Sequence, residues 1–234
     1  MKKALIIYRF LPQYRIEFYN GLKTALSQEG IELELVYGKG NKSDALKKDE
    51  VQLEWARYVP NKIYNIGRFE IIVQPCLRYA RNKDIIIVEG ANRLVINYYF
   101  MLVRHFSKLK LGVWGHGRNL QIDKNSVRNR FKTLFLRQCD WYFAYTSSVR
   151  RYLADHGFPR KKTTIVQNSI DTVSLQKEFD GLSVQTTKRL RSELNISSHD
   201  VVGLYCSAMY ADKRVDQVVS LCLRIKERVD DFKM

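Results

Sequence analysis

A doubly wound, parallel α/β sheet is the fold class that this sequence predicts. Runs such as Asp84-Ile85-Ile86-Ile87-Val88 are apolar and bounded by charge, the pattern of a strand buried on both faces of a sheet. Between such runs lie longer stretches with apolar residues three and four apart, the period of a helix with one face toward a core. Strand and helix alternate along residues 1–171, which favours a parallel sheet with crossover helices.

Each element has its own reason. Residues 3–8 form a short apolar run and predict the first strand. Residues 14–28 place Ile16, Tyr19, Leu22 and Leu26 on one helix face, and Gly30 stops the helix. Residues 31–37 alternate apolar and charged side chains and predict a second strand. Residues 38–50 are polar and read as an exposed loop. A third strand is expected over 51–59, ended by Pro60. A helix is expected over 69–82, with Pro75 inside it. Beyond residue 84 the pattern predicts strands at 84–88, 109–114, 141–145 and 163–166. Helices are expected at 94–107, 127–138 and 147–156, the last closed by Gly157.

Residues 172–198 are mostly polar, include a basic helix-like piece at 187–194, and read as an interdomain connection. Residues 199–234 then predict a strand (201–206), a charged turn (Ala211-Asp212-Lys213-Arg214), a helix (215–229) and a new strand beginning at Phe232. The expectation is therefore one Rossmann-like domain over 1–171 and the first β-α unit of a second, incomplete Rossmann-like domain over 199–234.

Composition bounds the function. The chain has 234 residues, of which 45% are hydrophobic, enough for a sizeable core and too many for a disordered chain. Its net charge of +16 attracts polyanions such as nucleic acid, anionic lipid or phosphorylated sugars. Cys76, Cys139, Cys206 and Cys222 form no CxxC pair and sit in apolar runs, so they read as buried thiols of a reducing compartment. The opening apolar run meets Arg9 too soon for a signal peptide. The longest candidate span, 94–106, contains Asn97, Arg104 and His105, so no membrane helix is expected. Zinc-site, GxGxxG, Walker A and GxSxG patterns are all missing, and neither a metal nor a cofactor is expected.

In open parallel sheets ligands bind beyond the carboxyl ends of the strands. The residues just past each predicted strand are therefore the candidate site. They include Pro12, Tyr14 and Arg15 after the first strand, and Glu89 after 84–88. His116, Arg118 and Asn119 follow 109–114, and Asn168 follows 163–166. Polar residues and glycines gather at five such ends and suggest one binding rim. His116 is the sharpest candidate. It lies between Gly115 and Gly117 directly after a strand, where backbone can approach a ligand closely and an imidazole can bond or move a proton near neutral pH. The plainer reading is a turn histidine.

Three segments resemble GT-B glycosyltransferases of the retaining family 4, the "group 1" type of bacterial surface-polysaccharide synthesis. Trp114-Gly115-His116-Gly117-Arg118 is similar to that family's histidine loop. Val166-Gln167-Asn168-Ser169-Ile170-Asp171 resembles its Asn-Gly-Val-Asp segment. The stretch from Leu204-Tyr205-Cys206-Ser207 to Lys213-Arg214-Val215-Asp216 is similar to the first strand-loop-helix of its donor domain. Leu11-Pro12-Gln13-Tyr14-Arg15 also resembles the first loop of members that carry Pro-x-Tyr-Arg. The resemblance implies that Lys213, with Asn168 and Ser207, binds a nucleotide-sugar donor, Lys213 at its diphosphate. It implies that His116 faces the transferred sugar or the acceptor. Two positions depart from the pattern: Ala208 stands where the family usually has arginine, and Arg214 where it has glycine. The family's Glu-x7-Glu segment matches no residue here, so an incomplete donor site is expected.

The reading is then a glycosyltransferase, or a fragment of one, that moves a sugar to a glycan or lipid-linked acceptor. A cytoplasmic location follows from the resemblance. Basic residues beside aromatics, as in Arg104, Lys108 and Lys110 near Tyr98, Tyr99 and Phe100, would suit the inner face of an anionic membrane. Two alternatives stand beside it: an inactive remnant or partner of a complete transferase, and a basic nucleic-acid-binding α/β protein. The second has no RNP, KH or helix-turn-helix signal, and no nucleic-acid partner is expected.

Overall fold

The computed structural model describes residues 1–67, 69–117, 137–168, 170–207 and 213–234. The chain divides into two compact units, Met1–Asp171 and Thr172–Met234.

The first unit is built on strands β1 (Lys2–Tyr8), β2 (Ile31–Tyr37), β3 (Arg57–Tyr58), β6 (Ile85–Glu89), β7 (Lys110–Gly115), β8 (Trp141–Ala144) and β9 (Thr163–Ile165), and between β3 and β6 the chain makes a hairpin of β4 (Lys62–Ile66) and β5 (Phe69–Val73). The seven-stranded sheet has the order β3-β2-β1-β6-β7-β8-β9, and every pairing in it is parallel. The strand order reverses between β1 and β6, a topological switch point of the Rossmann kind.

The sheet is covered on both faces, as its strands require. In β1, Leu5 and Ile7 point into one core layer with Val36, Ile86, Val88, Leu111 and Val113. Ala4, Ile6 and Tyr8 point into the other with Leu33, Leu35 and Trp114. Helix α1 (Ile16–Gln28) covers the second face with Tyr19, Phe18, Leu22 and Leu26. The first face is covered by α3 (Val95–Val103) through Ile96, Phe100 and Met101, and by α4 (Ser147–Asp155) through Val149 and Leu153. The expected doubly wound α/β fold is thus the observed one.

Four expectations change. The stretch 51–59 contributes only β3, because the chain turns at Ala56 N–H to Leu53 O (2.9 Å) before it can extend. No helix spans 69–82. The β-branched run Ile71-Ile72-Val73 instead pairs antiparallel with β4, and a 3-10 turn at Leu77–Ala80 follows Pro75. The stretch 38–50 is not simply an exposed loop: it contains the short helix α2 (Lys42–Ala45) and buries Asp44. Cys76 and Cys139 are buried, but Cys206 is exposed. The helix expected at 127–138 falls outside the described residues except for its last two positions.

The second unit contains helices α5 (Thr172–Asp180), α6 (Val184–Glu193) and α7 (Val215–Lys226), and the parallel pair β10 (Val201–Val202) and β11 (Phe232–Lys233). The strand expected over 201–206 is thus only two residues long, because its partner offers only Phe232 and Lys233. None of the described residues of this unit is buried.

Candidate functional site

The carboxyl ends of β1, β6, β7, β8 and β9 share one edge of the sheet, since the strands are parallel. After β1 the chain is fixed at once. Arg9 is 6% exposed, and its guanidinium forms an ion pair with Asp44 on α2. Its backbone N–H donates to Glu89 Oε2 (3.3 Å), and its Nε lies 3.8 Å from Glu89 Oε1. Burial works to raise the Asp44 pKa, but the hydrogen bond and charge of Arg9 prevail and hold the carboxyl below its ordinary value. Two backbone bonds, Gln13 N–H to Asp49 O (2.7 Å) and Val51 N–H to Leu11 O (3.2 Å), then tie the segment to its neighbour. Pro12 is buried there and bridges to Glu50.

Arg15, the N-cap residue of α1, is 1% exposed. Its Nη2 donates to Asn168 Oδ1 at 2.5 Å, across a separation of 153 residues. Its guanidinium lies 5.1 Å from the ring centre of Tyr145, 5.2 Å from Tyr14 and 5.6 Å from Trp114. Arg15 ties the loop after β1 to the segment after β9, and stacking on rings compensates part of its lost hydration. Among the described residues no carboxylate pairs with it. Arg15 therefore forms the floor of the rim, while Tyr14, 40% exposed, stands at its surface.

The turn after β7 is built for close approach. Gly117 has φ +70°, a left-handed conformation natural to glycine, and its N–H donates to the buried Tyr142 hydroxyl at 2.9 Å. Gly90 N–H donates to Trp114 O at 2.8 Å, joining the turns after β6 and β7. Held this way, His116 is exposed, and its ring lies 4.4 Å from that of Tyr145 at 48°. The Tyr145 and Tyr8 hydroxyls meet at 3.1 Å. Burial pushes both phenols above their ordinary pKa, so both are neutral hydroxyls at pH 7.

The fold thus brings Pro12, Tyr14, Arg15, Glu89, His116 and Asn168 to one edge. Arg118 and Asn119 lie outside the described residues. Ser207 is half-buried and Lys213 exposed, both in the second unit. Lys213 O accepts from the Tyr205 hydroxyl at 2.9 Å, just ahead of α7. Three contributors had no role assigned from sequence: Arg9, Asp44 and Tyr145. Tyr145 directly follows the apolar strand β8, and Asp44 sits in a polar stretch, so neither carries a signal of its own. Arg104, counted among the basic surface residues, pairs with Asp140 at 2.9 Å. Arg137 donates to His156 O at 2.7 Å. The exposed apolar residues Tyr98, Tyr99, Leu102 and Phe106 remain on and after α3. No helix among the described residues is long and apolar enough to cross a membrane.

Comparison with solved structures finds similar folds. A glycosyltransferase from Rickettsia africae matches 97% of this chain and 58% of its own, with 13% identity and a TM-score of 0.59. The Anabaena protein HepE in complex with UDP-glucose matches 95% and 57%, with 12% identity and a TM-score of 0.57. The UDP-GlcNAc 2-epimerase of Neisseria meningitidis bound to UDP-GlcNAc matches 99% and 64%, with 15% identity and a TM-score of 0.55. The chain thus spans less than two thirds of the length of each. No curated protein matches it in sequence. Residues 20–174 match the model of Glycosyltransferase Family 4, and with two thirds of its length inside that match the chain belongs to this family.

Proposed function

We propose that this chain serves a glycosyltransferase that moves a sugar from a nucleotide-diphosphate donor to a glycan or lipid-linked acceptor in cell-surface polysaccharide synthesis. The observation that supports this most is His116, exposed on a glycine-flanked turn at the carboxyl edge of a Rossmann-like sheet. Its ring contacts Tyr145, and the buried cation Arg15 lies against that same ring.

In this reading Met1–Asp171 is the acceptor-side domain. His116 hydrogen-bonds the sugar being transferred, and Tyr14 lines the acceptor's approach. Asn168, oriented by Arg15, and Ser207 bind the donor. Lys213, just ahead of α7, meets the diphosphate, where a cation and a helix N-terminus both favour negative charge. Charge that grows on the departing diphosphate is then offset where it develops. The exposed apolar residues of α3, with Lys108 and Lys110, adhere to an anionic membrane and place the chain at the inner face of the plasma membrane.

Titration of the chain with a panel of nucleotide sugars, followed by calorimetry, tests the reading. At least one should bind, and Lys213→Ala should weaken it about tenfold, the loss of one charge-assisted contact. No binding across the panel, or binding that Lys213→Ala leaves unchanged, would refute the donor assignment.

A further inference from the structure

A groove of about 560 Å³ runs along the C-terminal half of α1, lined by Asn20, Lys23, Thr24, Ser27, Gln28 and Trp55. Its five helical residues are spaced i, i+3, i+4, i+7 and i+8, so they form one stripe of α1, while Tyr19, Leu22 and Leu26 turn toward the core. At about 1.5 Å per residue, Gln28 lies about 18 Å along the helix from Ile16, which adjoins the rim.

Trp55 is half-buried and backed by the core layer of Ala4, Ile6 and Tyr8. Its indole N–H donates to Asn20 Oδ1 at 2.9 Å, so the ring is oriented before any ligand arrives. Lys23 Nζ lies 4.5 Å from the ring centre, on a flexible stem that lets it swing to a new acceptor. Thr24 donates to Asn20 O at 3.1 Å. Ser27 and Gln28 expose a hydroxyl and an amide on the next turn.

Local charge narrows the occupant. Glu17 accepts from Asn20 Nδ2 at 3.4 Å, and Glu29 and Glu54 adjoin Gln28 and Trp55 in the sequence. Despite the net charge of +16, this surface repels a polyanion, whether nucleic acid or anionic lipid. Trp55 is the single large apolar side chain in the lining, and a lipid tail or an amphipathic helix needs several such anchors. A neutral sugar chain suits both halves. Its C–H faces rest on an aromatic ring, and its hydroxyls exchange hydrogen bonds with amide, hydroxyl and ammonium groups. We propose that this groove is a second, non-catalytic site for a neutral oligosaccharide. It holds an earlier stretch of the acceptor glycan while the growing end lies at the rim. The choice of an acceptor rests on the glycosyltransferase reading; the sugar chemistry of the groove does not.

The test uses the full chain labelled with nitrogen-15. Three tryptophans give three indole N–H signals, and Trp55→Phe assigns one by its loss. The probes are maltotetraose, cellotetraose and chitotetraose, with glucose and N-acetylglucosamine as controls. At least one tetrasaccharide should shift the Trp55 signal saturably, bind about tenfold tighter than its monosaccharide, and leave the Trp114 and Trp141 signals in place. Ser27→Ala with Gln28→Ala keeps α1, since alanine favours a helix. The pair should weaken that binding about tenfold, the loss of two hydrogen bonds.

No saturable shift across the three probes would overturn the proposal. So would a tetrasaccharide that binds no tighter than its monosaccharide, or a double variant that binds as the wild type does. Titration of the same sample with the nucleotide-sugar panel separates the two readings. Tetrasaccharide binding without nucleotide-sugar binding supports the groove and counts against the donor assignment. Nucleotide-sugar binding without tetrasaccharide binding does the reverse.

Discussion

The Asp44→Asn substitution isolates one charge in the framework of the rim. Asparagine keeps the volume and an oxygen to accept from Asn41 N–H, which Asp44 Oδ2 now does at 3.1 Å. It removes the counter-ion of Arg9, and both side chains of that pair are only 7% exposed. Removing one partner of a buried pair costs about 3–5 kcal/mol, because the other charge is left uncompensated. Glu89 remains 3.8 Å from Arg9 Nε, so the loss should lie near the lower end, about 3 kcal/mol. With a urea dependence of about 2–3 kcal/mol per molar, the unfolding midpoint should fall by about 1–1.5 M. Adding Arg9→Met removes the stranded cation and should recover part of the loss. The pH dependence has a definite sign. The folded-state pKa of Asp44 lies below its unfolded value, so its stabilisation is present above about pH 4 and fades as pH falls through the folded value. Urea titrations of wild type and variant should therefore differ by a constant amount at pH 5–8 and converge toward pH 3. A gap under about 0.5 kcal/mol at pH 7, or one undiminished at pH 3, would refute the account of Arg9 as a buried cation held by Asp44.

Gly117→Ala should cost about 1–2 kcal/mol from its left-handed backbone, because φ is +70° and a Cβ would lie 3.3 Å from Val149 Cγ1. Gly67→Ala, also left-handed but with nothing within 4 Å, should cost less in the same urea assay, and the reverse order would refute the packing argument. Burial pushes the Cys139 thiol up to about 12 and the Cys76 thiol up to about 11, so iodoacetamide at pH 8 should label exposed Cys206 well before either; equal rates by mass spectrometry would show that this core opens. Pelleting with anionic liposomes should fall as salt rises, and Leu102→Asp and Phe106→Asp should reduce it; binding that ignores lipid charge and salt would remove the membrane proposal.

The parts of the fold legible in the sequence are those whose burial is two-sided. Strand β6 is apolar at every inner position and could be nothing else. The 69–82 stretch misled because Phe69, Ile71, Ile72 and Val73 suit a helix face and a strand equally. Only the turn at Gly67, with φ +57°, closes the chain into a hairpin. The same holds for the site. His116 announces itself by its glycines, because the backbone there needs them. Tyr145 does not, because its role comes from what the other strands bring to it: Tyr8, Arg15 and His116 reach it only through the parallel order β1-β6-β7-β8. Arg15 was legible as a rim residue but not as a buried one. Four rings within 6 Å of its guanidinium decide that, two from its own stretch (Tyr14 and Phe18) and two, Trp114 and Tyr145, from distant parts of the chain.

The switch point between β1 and β6 is where an open sheet of this order usually receives its ligand. Here that mouth is filled by the protein's own polar groups. Arg9 spans it, bonded to Asp44 and Glu89. Gln74 Nε2 donates to Tyr8 O at 3.1 Å, and Asn61 Nδ2 to Arg9 O at 2.7 Å. A ligand entering there would have to break a buried ion pair and two side-chain bonds to the backbone. Such a cost, about 3–5 kcal/mol for the pair alone, equals about two to four decades of affinity. The exposed groups of the rim lie elsewhere: His116 after β7, Asn168 after β9, and Tyr14 ahead of α1. The ligand should therefore sit toward β7–β9. Arginine and histidine signals can test this in one titration with UDP-glucose. His116 should respond strongly, Arg15 Nε–H by way of Asn168, and Arg9 Nε–H hardly at all. A response largest at Arg9 would mean that the plug opens and that the ligand takes the switch point after all.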